Sequence, residues 1–299
     1  MSLVLAALAL AVGLELALGE PPTEVHPVAW FGRAVERADR EWSHPGTAGL
    51  AIAFLCPLFV AGAVSGFVAL AGSLGPFFGI LAAGCALFAT TSLRMLLDVA
   101  RTVIDESERD LAGAREAVRA LVGRTPEELS AGELRSAAVE SASENLADGL
   151  VAPLSAFALL APLSPSLGAG GAAWVKAVNT LDSTLGYPEK PHGTASARLD
   201  DYVMWLPARA SAALLALAAR RPGALVRARE WAGAPPSPNS GWPMATLAGL
   251  LDVRLEKPGV YVLNPSRDLP TGADARRGVR IVALAGALSY ALAGVVAWL

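Results

Sequence analysis

Charge is what this chain has little of. Only 17% of its residues are charged, against 54% hydrophobic, and the mean hydropathy is +0.46. A soluble domain carries about a quarter charged residues, so the balance excludes an ordinary water-facing globule and points to a bilayer. Aromatics are scarce too, at 6%. Ala, Leu, Val and Gly supply the apolar mass, and small residues let helices approach closely in lipid. A net charge of −3 lacks the basic excess that a nucleic-acid partner demands. The two cysteines, Cys56 and Cys85, fall in apolar runs and read as small buried hydrophobes rather than a disulfide or metal pair. Also missing are GxxxxGKS/T, a strand-linked GxGxxG, HExxH, CxxC and GxSxG, so a nucleotide would bind outside the common nucleotide folds.

What is present is a set of apolar runs. Leu3–Leu18, Leu50–Gly72, Pro76–Leu97 and Ile281–Leu299 approach or reach the roughly 20 residues a hydrocarbon core requires. The first run carries Glu15 and no basic flank, so it reads as a retained helix rather than a signal. Leu150–Ala161 and Gly171–Leu181 are shorter and flank a charge-free turn, which suggests a re-entrant or protein-buried hairpin. Trp205–Ala219, interrupted by Pro207 and Arg209, fits an interfacial or buried helix better than a crossing. Lys and Arg avoid the Ser73–Gly75 and Pro162–Gly170 turns and crowd into Phe31–Glu41, Arg94–Arg135, Lys176–Arg209 and Arg220–Arg280. The positive-inside rule then puts those segments in the cytoplasm and both termini outside. The expected fold is all-α: one multi-pass integral membrane domain over residues 1–299, with long cytoplasmic helices and loops at 20–47, 98–149 and 182–280.

Within the polar segments, Asp98–Val122 has helical spacing with Gly123 as a stop, and no period-2 strand series or internal repeat is found. Thr125 with Glu128 and Ser130 with Glu133 have the capping-box form; the second opens a helix expected to reach Asp148, with Gly149 available to end it. Gly186–Gly193, Ala232–Pro243 and Asn264–Gly272 read as ordered loops.

Chemistry-bearing residues concentrate there. Glu140, Glu144 and Asp148 are spaced i, i+4, i+8, so they share a face of an ideal helix. That pattern is either a solvated face paired to arginines or a site for a hard cation such as Mg²⁺, and its position at a membrane boundary favours the cation. Lys176 and Asn179, one turn apart, precede Asp182; Lys176 either snorkels or faces a polar site. Arg198 stands beside Asp200 and Asp201, a pair that suits a helix cap, a metal or an amine. Glu20, Glu24 and His26 follow the first apolar run, and Asn239, Ser240 and Gly241 offer backbone amides for phosphate. A transporter would place intramembrane charges along a path, usually with inverted repeats, and none is visible. A non-catalytic membrane regulator would let this polar face decay. A CDP-alcohol phosphotransferase would continue DGxxAR, but Asp148-Gly149 is followed by Val-Ala-Pro.

The blocks HPVAWFGR (26–33), AVESASENLADGLVAPL (138–154), KAVNTLDSTLGY (176–187), GTASARLDDYVMWLPAR (193–209) and PNSGWPMATLAGLL (238–251) resemble, in order, those of the adenosylcobinamide-phosphate synthases, the CobD/CbiB family. One departure is Thr184, where the family often has Met. The resemblance implies an integral-membrane amide ligase that consumes ATP and Mg²⁺. Its substrates would be a corrinoid, adenosylcobyric acid, and (R)-1-aminopropan-2-ol or its O-phosphate. Lys176, Asp182, Arg198 and Asp201 become catalytic candidates; His26, Asn179, Asn239 and Ser240 ligand-binding candidates; Glu140, Glu144 and Asp148 metal candidates. Membrane lipid is the expected surrounding, and a homo-oligomer is left open.

Overall fold

The computed structural model describes residues 3–121 and 128–298. In chain order it forms α1 (Leu3–Leu18), α2 (Pro27–Glu36), α3 (Pro45–Leu74) and α4 (Pro76–Thr90), then α5 (Arg94–Glu106), α6 (Leu111–Val118) and α7 (Ala131–Asn145). A π-helical segment, Leu146–Val151, runs directly into α8 (Ala152–Leu160), followed by α9 (Pro165–Leu185) and α10 (Thr194–Val203). The chain continues through α11 (Trp205–Ala218), α12 (Ala224–Ala228), α13 (Gly241–Leu251), a hairpin of β1 (Leu255–Lys257) and β2 (Tyr261–Leu263), and α14 (Gly272–Trp298). The strands are antiparallel, with Glu256 opposite Val262. The fold is all-α apart from this hairpin, as the apolar runs led one to expect. Pro45–Leu74, Pro76–Glu106 and Gly272–Trp298 are long and apolar enough to cross a bilayer.

The chain divides into two compact units. The first comprises Met1–Ser92, Asp148–Met204 and Tyr290–Leu299. Its centre is α9, packed against α3, α4, α8, α2 and α10, with α1 on α4. Proline occupies the first turn of α2, α3, α4 and α9, where its missing N–H costs no helical hydrogen bond. Small residues set the helix spacing. Gly49 in α3 lies against the His192 carbonyl so closely that no side chain would fit there, and Gly170 in α9 lies likewise against Ser65. Val35, Leu181 and Leu185 form one core cluster, Ala152, Val175 and Met204 another. Glu15, buried in α1, has no need of a cation: Tyr290 Oη donates to it at 2.5 Å and Thr91 Oγ1 at 3.4 Å.

The second unit comprises Leu93–Ala147 and Trp205–Ser289. Here α7 is surrounded by α5, α6, α13 and β1. Its start is the expected capping box: Ser130 Oγ accepts from Glu133 N at 3.3 Å while Glu133 Oε2 accepts from Ser130 N at 2.7 Å. Arg135 Nε donates to the Pro270 carbonyl at 2.7 Å, and Arg276 joins Asp105 and Glu108.

Several boundaries differ from the sequence reading. Gly149 does not end the α7 helix, because the π turn absorbs it and carries the chain into α8. Asp98–Val122 is not one helix: a break at Ser107–Asp110 separates α5 from α6, with Asp110 Oδ1 capping Ala112 N at 3.0 Å. Thr125, Val122 and Gly123 lie outside the described residues. Residues 241–243, expected in a loop, begin α13. Cys85 is exposed and Cys56 half-buried, since an apolar residue on a lipid-facing helix need not be inside; both are free thiols. Helix α11 has 14 residues, about 21 Å, short of a hydrocarbon core of about 30 Å.

Candidate active site

In the first unit three elements bring polar side chains together. Helix α9 supplies Lys176, Asn179 and Asp182 at successive turns, the π segment supplies Asp148, and α10 supplies Asp200 and Asp201. The Asn179 amide favours the charged form of both the Asp148 and the Asp200 carboxylates. Lys176 interacts electrostatically with Asp148, Glu20 and Asp200, and Asp182 with Asp201. The lysine stem borders an apolar cavity of about 390 Å³, walled by Phe31, Val64, Phe67, Ala86 and Ala177. Its electrostatic neighbours are these carboxylates.

His26 caps α2: its Nδ1 accepts from Val28 N at 3.2 Å, and its Nε2 is 4.0 Å from Glu20 Oε2. Burial holds its pKa below the usual imidazole value against the pull of Glu20, with Lys176 lowering it further. The carboxylates answer to the same physics. Burial pushes Asp182 up to about 6, with Asp201 adding repulsion. Burial also raises Asp200, and Asp148 and Asp182 add to the effect while Asn179 opposes it. Lys176 is thus the cation that Glu20, Asp148 and Asp200 have nearby, while Asp182 has Asp201 as its neighbour.

Asp200 is the residue the sequence reading undervalued. It is 8% exposed, and its Oδ1 has no hydrogen-bond partner among the described residues. Asp201, favoured from sequence, is half-buried, and Arg198 is exposed on the outer side of α10. Burial, not spacing, separates the two: Ser196, Asp200 and Met204 recur every four residues and are buried, whereas Thr194, Arg198 and Tyr202, at the same spacing, are exposed.

The other candidates lie in the second unit. Glu140, 5% exposed, accepts from Ser136 Oγ through Oε1 and from Tyr261 Oη through Oε2, each at 2.5 Å. Ser136 Oγ in turn accepts from Glu256 N at 2.8 Å, which ties α7 to the hairpin. Glu144 is half-buried. Asn239 Oδ1 accepts from Arg209 at 3.0 Å, and that guanidinium lies 4.3 Å over Trp205 and 5.0 Å from the Trp242 ring. The amides of Asn239 and Ser240 turn to Ser237 Oγ, and that of Trp242 to Asn239 O, so three amides of this loop already have acceptors. Among the described residues no group of three His, Cys, Asp or Glu side chains is arranged to hold a metal by itself.

Residues 8–294 match the family described as CobD/Cbib protein. This chain belongs to the CobD/Cbib family. Among the relatives of this CobD/Cbib chain is the probable cobalamin biosynthesis protein CobD of Methanothrix thermoacetophila, 36% identical over 95% of this chain and 94% of the relative. The cobalamin biosynthesis protein CobD of Rhodobacter capsulatus is 36% identical, covering 98% and 97%. That of Klebsiella pneumoniae is 35% identical, covering 96% and 95%. No solved structure matches. Membership ties this CobD/Cbib chain to cobalamin biosynthesis, and the polar cluster of its first unit falls within the sequence blocks that carried the resemblance.

Proposed function

We propose that the chain is an ATP- and Mg²⁺-dependent amide ligase of cobalamin biosynthesis. It would join the propionate carboxylate of adenosylcobyric acid to (R)-1-aminopropan-2-ol or its O-phosphate. The observation that carries the reading is the cluster of Lys176, Asn179, Asp148, Asp182 and Asp200, with a buried carboxylate oxygen that has no hydrogen-bond partner among the described residues. A free carboxylate has no leaving group, so the γ-phosphoryl of ATP is transferred to it first; the amine then attacks the acyl carbon and phosphate departs. Lys176 would neutralise the phosphate, and the apolar cavity beside it would keep water from the activated acyl group.

Mg²⁺ supplies charge neutralisation of the triphosphate when bound. It typically takes one or two carboxylates, with phosphate and water completing its shell. Glu144, half-buried at the end of α7, fits that demand. Glu140 fits it less well, because both its oxygens already accept hydrogen bonds. The test is purified protein with adenosylcobyric acid, ATP, Mg²⁺ and either amine, read by product mass. ATP-dependent appearance of the amide supports the reading; no product with either amine refutes it.

A further inference from the structure

The Ser196–Asp200 face of α10 has two buried polar atoms that the protein itself leaves unanswered. Ser196 is 1% exposed and Asp200 8% exposed, and neither Ser196 Oγ nor Asp200 Oδ1 has a hydrogen-bond partner among the described residues. The two are one turn apart, so they lie on the same side of the helix. An orphaned buried acceptor costs free energy, more when it is a carboxylate, and native proteins retain such atoms where something else completes them.

We infer that Asp200 Oδ1 and Ser196 Oγ form the subsite that receives the ammonium and the neighbouring oxygen of the amino-alcohol substrate. This rests on the ligase reading above and names where one of its substrates docks.

Charge selects the ligand class. Asp148, Asp182 and Asp201 stand near Asp200, an acidic surround that favours a cationic group. Two cations qualify in principle, a metal ion and a primary ammonium. No trio of His, Cys, Asp or Glu among the described residues is arranged to hold a metal, and Lys176 would repel a divalent ion more strongly than a monovalent one. An ammonium asks for less: three N–H donors, each satisfied by a single acceptor. Asp200 Oδ1 supplies one acceptor, and the carboxylates of Asp182 and Asp148 around it supply others. Ser196 adds a hydroxyl that both donates and accepts, suited to an oxygen two carbons from the nitrogen. If that oxygen is phosphorylated, Lys176 is the cation at hand.

Binding of the amine alone to the full-length protein in detergent, measured calorimetrically, tests this directly. The ligands are (R)-1-aminopropan-2-ol, its O-phosphate, and propane-1,2-diol, which has a hydroxyl in place of the amine. Wild-type protein is expected to prefer the amine over the diol by about tenfold or more, the scale of a hydrogen bond between charged groups. Asp200→Asn, close in shape and without the charge, is expected to lose that preference. The free amine and its phosphate are separated by Lys176→Met, which weakens the phosphate and does not weaken the free amine. Equal binding of amine and diol to wild-type protein overturns the proposal, and that comparison needs no variant to fold. An Asp200→Asn protein that keeps the preference overturns it too, as does competitive displacement of the amine by Mg²⁺ alone. If the amine binds through Asp200 but the complete mixture yields no amide, the ligase reading fails and the subsite stands.

Discussion

Replacing Tyr261 by Phe removes one hydroxyl from the Glu140 carboxylate and leaves the rest of the second unit's hairpin in place. The carboxylate is 5% exposed, and its partners Ser136 and Tyr261 each sit at 2.5 Å. A hydrogen bond to a charged group contributes about 1.5–3 kcal/mol, and water has little access to replace the lost one. Tyr261→Phe should therefore lower the thermal midpoint by roughly 4–8 °C in a unit of this size. Glu140→Gln should cost less, about 1 kcal/mol, because a hydroxyl turned around can accept from the new amide. In both variants amide synthesis per folded molecule should stay near wild type, since the carboxylate acts as a brace between α7 and β2. A double-mutant cycle should show coupling between the two positions. The assay pairs thermal unfolding in detergent with turnover normalised to folded protein. If Glu140→Gln abolishes turnover while the midpoint is unchanged, Glu140 is a metal ligand and the brace is refuted.

Lys176→Met should fold but lose on the order of 10²–10³ in rate, with Lys176→Arg only a partial substitute because a planar fork replaces a compact ammonium; an active Lys176→Met would return this residue to snorkelling. Glu144→Gln should abolish turnover in a folded protein, with partial recovery in excess Mg²⁺; normal activity would remove it from the metal's ligands. Asp182 has its folded pKa raised to about 6, so its favourable contribution is complete below the ordinary carboxylate value and is lost as pH rises through about 6. The midpoint of ligand-free protein should fall from about pH 4 to 7, and Asp182→Asn should flatten that slope; a midpoint rising over the interval would contradict the burial argument. Cysteines placed at Ser73 and Ser166 should label from outside intact cells and one at Ser130 should not, following the positive-inside rule; labelling at Ser130 would invert the topology.

The apolar runs made the membrane helices legible, down to the end of α1 at Leu18. They were less informative where helix and burial part company. The helix α9 extends well beyond its apolar stretch, because glycines and alanines on one side and Lys176 to Asp182 on the other are both accommodated inside protein. The α-helical pattern held as far as Asn145; Leu146–Val151 is π-helical, and nothing local in Leu-Ala-Asp-Gly announces it. Within the site, Lys176 with Asn179 was readable from spacing alone. Asp200 over Asp201 was not settled by identity, since neighbours in a helix point apart and only the buried rhythm of α10 tells which one faces in. Tyr261 came from a hairpin whose strands are three residues each, too short to show a period.

The length of α3 has a consequence for how the first unit meets its lipid. Thirty residues make about 45 Å of helix, whereas the hydrocarbon layer is about 30 Å deep. About ten residues must therefore stand clear of the layer or be taken up by tilt. Gly49, pressed against the His192 backbone just ahead of α10, lies in the first turns of that helix. A surplus held clear at the Gly49 end would make the helix a stilt that sets the height of the α10 carboxylates above the lipid. Bilayers of different thickness should change how deep the stilt is planted, and with it how readily water-soluble substrates reach the platform it carries.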